Sequence, residues 1–197
     1  MGALGNALFV LAGPLSTFSA GVVNISIDLS HVATALAAIF SGPLAGLFTG
    51  LIVGLAPGLW FSTASGPIAL LFVPLGKALT GLTIGILQKL LRIQEREHRS
   101  LFTMMTVLVG YIPEMLFTVV YFLVLVPYFT GWLVASMIVL SILVKGWFEL
   151  ALVGVLSGSL MGNVSFAGFI ARHFTVQGMK RSSKTSTLHN RDVVNNS

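Results

Sequence analysis

Residues 29–76 contain no aspartate, glutamate, lysine or arginine. One helix needs roughly 20 apolar residues to cross a bilayer. A run this long supplies more than one crossing and leaves no charged face for water. Gly42-Pro43 and Pro57-Gly58 punctuate it, and each pair is a helix-breaking signal. The rest of the chain agrees: 9% of its residues are charged, against about 25% in a soluble domain. The mean hydropathy is +0.95. The expected fold is therefore all-α, a polytopic membrane bundle.

Gly42, Gly46, Gly50, Gly54 and Gly58 recur at every fourth position of that run. A step of four keeps side chains on nearly one helix face, so the glycines make a smooth groove that another helix can approach closely. Gly154, Gly158 and Gly162 repeat the spacing, as do Gly81 with Gly85 and Ala3 with Ala7. Two readings are open for each stripe: packing inside the bundle, or docking of a partner protein.

The apolar segments divide into six spans with short outer loops, at about 3–20, 31–41, 44–57, 67–91, 101–125 and 133–162, the second of them short. A break is expected near Lys145-Gly146. Segment 58–66 reads as a loop with Trp60 as an interfacial anchor, and 127–132 as an interfacial turn. The first segment lacks a basic n-region and reads as a span, not a cleaved signal peptide. Residues 1–171 form the expected membrane domain and 172–197 a polar, disordered tail. Lys89, Arg92, Arg96 and Arg99 cluster in 88–100, and Arg172, Lys180, Arg181 and Lys184 follow the last span. Basic residues collect on the cytoplasmic side of a cell membrane. With six spans, both termini are expected there.

Charges inside spans are costly and mark functional sites. Lys77, Glu114, Lys145 and Glu149 qualify, and each falls near the middle of its expected span. They read either as an ion-pair cluster that fixes helix register or as a site for a polar ligand. Asp28 and His31 are expected at the outer mouth. Asp28 either caps the second span or touches ligand. A ligand pocket needs aromatic walls with a few convergent polar groups. Trp60 and Trp147 are candidate walls, with Asp28, His31, Lys77, Glu114, Lys145 and Glu149 as the polar contacts.

Several chemistries find no support. The chain has no cysteine, so disulfides, thiol catalysis and thiolate metal sites are excluded. Gly76-Lys77 lacks the remainder of a phosphate-binding loop, and no hydrolase motif is present. The four histidines show no metal spacing, so neither metal nor cofactor is expected. The net charge of +5 sits mainly beside apolar spans, which indicates membrane topology and not nucleic acid.

Residues 24–58 carry Asp28-Leu29-Ser30, then VATALAAIF, then Gly42-Pro43-Leu44-Ala45-Gly46 and the glycine-bearing helix. This resembles the substrate-binding S component of energy-coupling factor (ECF) vitamin transporters, the riboflavin type above all. Ala3 and Ala7 look like the AxxxA motif of the first helix in that family, and the segment from Lys145 to Leu150 is similar to its closing segment. The resemblance implies a non-enzymatic subunit of an ABC importer. It would capture a vitamin-like molecule, riboflavin being the first guess, at the outer face. Ala3 and Ala7 would dock a membrane scaffold subunit that works with two ATPase subunits. Two other classes stay open: a membrane sensor or signalling module, and a proton-coupled secondary transporter built on the central Lys/Glu cluster.

Overall fold

The computed structural model describes residues 1–12, 17–20, 23–26, 28–131, 136–163 and 165. The expected tail at 172–197 and its basic residues lie outside the described residues. Helix α1 covers Gly2–Ala12. Its end precedes Gly13-Pro14 in the sequence, and a proline disfavours helical backbone at the residue before it. The single span expected at 3–20 is therefore corrected. Beyond α1, strands β1 (Thr17–Ala20) and β2 (Val23–Ser26) form an antiparallel hairpin, with Thr17 opposite Ser26.

Helix α2 spans Ser30–Ser41. Gly42 then takes φ +90°, a conformation glycine reaches without steric cost, and Pro43 opens α3 (Pro43–Val53) at a position where its missing N–H costs nothing. Gly42 was expected in the packing stripe. Its role is the turn instead, since a Cβ there would meet no neighbour. Helix α4 (Leu55–Ser65) follows after one residue. Pro57 falls in its first turn, where the N–H groups have no intrahelical acceptor. The expected stop at Pro57-Gly58 thus does not occur, and most of the expected 58–66 loop is helical.

Helix α5 is Ala69–Leu90. Arg92 adopts a left-handed conformation before the short turn Ile93–Glu95. Helices α6 (Arg99–Gly110) and α7 (Ile112–Val120), a π-helical turn at Tyr121–Leu125 and α8 (Val126–Thr130) form one path. The turn expected at 127–132 is helical as far as Thr130, and Gly131 closes it at φ 68°. Helix α9 runs Ser136–Gly162 without the break expected at Lys145-Gly146.

Four helical stretches are long and apolar enough to cross a membrane: Pro43–Thr63, Ala69–Leu90, Arg99–Phe129 and Val139–Gly162. They mark a membrane-embedded, multi-pass protein. The other two apolar helices are short. At 1.5 Å per residue, α1 and α2 reach about 16–18 Å, roughly half the hydrocarbon thickness. The lipid-compatible exterior is visible in exposed Leu44, Phe48, Leu71, Leu116 and Phe148.

The glycine stripe of α3 packs on α5. A Cβ at Gly46 would strike the backbone of Gly81, one at Gly50 the backbone of Lys77, and one at Gly54 the backbone of Pro74. Gly85 returns the contact at Pro43. Gly154 and Gly158 of α9 lie against Met104 and Ser100 of α6. The main apolar core joins Ala35, Ala38 and Ile39 of α2 to Ile84, Val107, Leu150 and Val153. It fills the half of the bundle nearer Arg92 and leaves the half nearer Ala69 for a polar cavity.

Candidate functional site

Lys77 is the centre of that cavity. The backbone of α5 is held against α3 at Lys77 by Gly50, and the residue is 2% exposed. Its Nζ lies 2.5 Å from Asp28 Oδ2 and 2.6 Å from Ser30 Oγ. Asp28 precedes α2, and its Oδ1 accepts the Ser30 N–H at 2.8 Å. The cap position itself falls to Leu29, so Asp28 stands one residue before it and lines the cavity.

Two further acids complete the cluster. Glu149 on α9 accepts the backbone N–H of Asp28 and lies 3.4 Å from Lys145 Nζ, one turn earlier. Glu114 on α7 accepts the Thr80 hydroxyl and faces His31 Nε2 at 3.7 Å. His31 Nδ1 is buried with no hydrogen-bond partner among the described residues.

These groups line one cavity of about 110 Å³. Asp28, His31, Lys77, Glu114, Lys145 and Glu149 all contribute to its wall, so the structure brings together all six of the expected polar contacts. Of the two expected aromatic walls, Trp60 is not among the lining residues and is 70% exposed. Being on a helix and not in a loop, it points off the bundle. Trp147 is likewise absent from the wall. It sits edge-on to Tyr111 and turns its indole N–H to Met115 Sδ at 3.2 Å.

The aromatic walls come from other positions. Phe61, Phe72, Tyr111, Phe117, Tyr121 and Phe122 line the cavity. Phe72 stacks on Phe117 and on Tyr121, each at 5.5 Å between ring centres. The signal for four of the lining groups was present in the sequence: Glu114, Phe117, Thr118 and Tyr121 are spaced by three and four, one face of a helix. Gly146 makes room for Tyr111, because a Cβ there would overlap its hydroxyl.

Among the described residues, no group of three His, Asp or Glu side chains is arranged to hold a metal ion. Ala3 and Ala7 lie on the exposed side of α1, while Gly2 and Gly5 pack on Ile52 and Val53. Comparison with protein-family models, with curated proteins and with solved structures finds no match, so the chemistry of the site rests on its own geometry.

Proposed function

We propose that this chain is the substrate-binding subunit of a membrane importer of the ECF type. It captures a small molecule in the Lys77 cavity and passes it inward with partner subunits. The observation that carries the reading is the cavity itself: six titratable side chains from α2, α5, α7, α9 and the segment just before α2 converge within an aromatic wall. Intramembrane charges gathered this way are the ordinary mark of a substrate path, and an aromatic wall with a few polar contacts is the ordinary form of a ligand pocket. The resemblance at residues 24–58 supports the importer class. The exposed Ala3 and Ala7 stripe supports a docking face for the scaffold subunit, because small side chains permit close helix approach. ATP hydrolysis belongs to the partner ATPases. In this proposal α1 and α2 complete a six-segment membrane domain, with 88–100 and the C-terminal tail cytoplasmic.

A cavity of 110 Å³ is below the roughly 300–1,000 Å³ of pockets that hold drug-sized ligands. A molecule smaller than riboflavin suits it better. The test is mass spectrometry of small molecules that co-purify with the detergent-extracted chain, followed by titration of each hit. Glu114→Gln should weaken binding by about 10- to 150-fold, the value of a charge-assisted hydrogen bond of roughly 1.5–3 kcal/mol. A chain that binds no small molecule would make the cluster structural.

A further inference from the structure

Three carboxylates and two ammonium groups line the cavity. Each lysine has its own partner: Lys77 lies 2.5 Å from Asp28, and Lys145 lies 3.4 Å from Glu149. Glu114 is left over. Its neighbours are the Thr80 hydroxyl and the edge of His31, 3.7 Å away. A buried carboxylate with no ammonium in contact is expensive to ionise, and a positive charge entering the cavity lowers that cost.

The wall suits a cation as well. Phe72, Phe117 and Tyr121 form a stacked block beside Glu114, and aromatic faces attract organic cations. The cavity thus offers one carboxyl group without an ammonium in contact and an aromatic surface in about 110 Å³.

We propose that the ligand of the Lys77 cavity is a compact organic cation, a quaternary or heteroaromatic ammonium, held by Glu114 and the Phe72 block. This rests on the reading of the chain as a ligand-binding subunit. It commits that reading to one charge type.

The experiment titrates the detergent-purified full chain with tetramethylammonium, choline and methylpyridinium. Each is paired with a neutral carbon isostere of the same shape, dimethylbutanol in the case of choline. At least one cation should bind at least tenfold more tightly than its isostere. Glu114→Gln should remove that preference while the unliganded melting temperature holds or rises, since a buried surplus charge is gone. Gly76→Ala supplies a second variant. Its added methyl meets Glu114 Cγ at 3.4 Å and Phe117 at 3.6 Å, ordinary contacts that leave the fold intact. It narrows the cavity and should weaken the largest bound cation most. Isosteres that bind as well as the cations, or a Glu114→Gln variant that retains the preference, overturn the proposal. If cations fail while a neutral or anionic co-purified molecule binds, the cation assignment falls and the ligand-binding reading stands. If nothing of any charge binds, both fall.

Discussion

Lys77 and Asp28 are 49 positions apart in the chain, and each is the other's main counter-charge. Removing one member of a buried pair strands the other, at about 3–5 kcal/mol. Lys77→Met should therefore lower the melting temperature sharply. The double variant Lys77→Met with Asp28→Asn should recover much of the loss, because the side-chain amide carbonyl at that position would still accept the Ser30 N–H. Thermal unfolding in detergent reads both. A double variant no more stable than the single would show that Lys77 acts through something other than Asp28. The charged members of this cluster were legible in the sequence because charge in a long apolar span needs a reason. Their pairing was not. The second span was expected to be short, and α2 is; what sequence could not show is that this short helix begins beside the middle of α5, where Ser30 meets Lys77. Trp60 misled for a related reason. Its belt-like composition was legible, but the helix that turns it outward runs past a proline that reads as a stop.

At the scale of elements, the α3–α5 seam is where spacing translated most directly into structure. Glycines four apart bring Gly46, Gly50 and Gly54 onto Gly81, Lys77 and Pro74. The facing atoms at Gly50 are backbone, so nothing flexible can yield. Gly50→Ala should cost roughly 1–3 kcal/mol by overpacking and displace Lys77 with it. Gly58→Ala, whose Cβ would sit 3.3 Å from the nearest atom, should cost less. Melting temperatures of the two variants check the order, and equal losses would mean that the seam is not the source. The continuity of α9 through Lys145-Gly146 was not legible. A glycine there reads as a break, but its purpose is room for Tyr111 on another helix, and a partner that far away in sequence leaves no local trace.

For the whole molecule, the turn 91–98 and Gly162 at the end of α9 share one end of the bundle, as the contact of Gly162 with Ser100 requires. Arg96→Cys in this cysteine-free chain should resist an impermeant thiol reagent in sealed cells and react once the cells are opened. Labelling from outside would invert the assigned orientation. The long path Arg99–Phe129 has a further property. Its cavity face advances through Glu114, Phe117, Thr118, Tyr121 and Phe122, and Val126 beyond them is buried. The π-helical turn at Tyr121–Leu125 has absorbed one residue. Since each helical residue rotates the chain by about 100°, losing any one residue there would swing everything beyond it out of phase. Leu123 and Val124 are exposed and free to vary in kind. What this stretch fixes is a count, so an insertion or deletion among its least important side chains does more harm than any substitution.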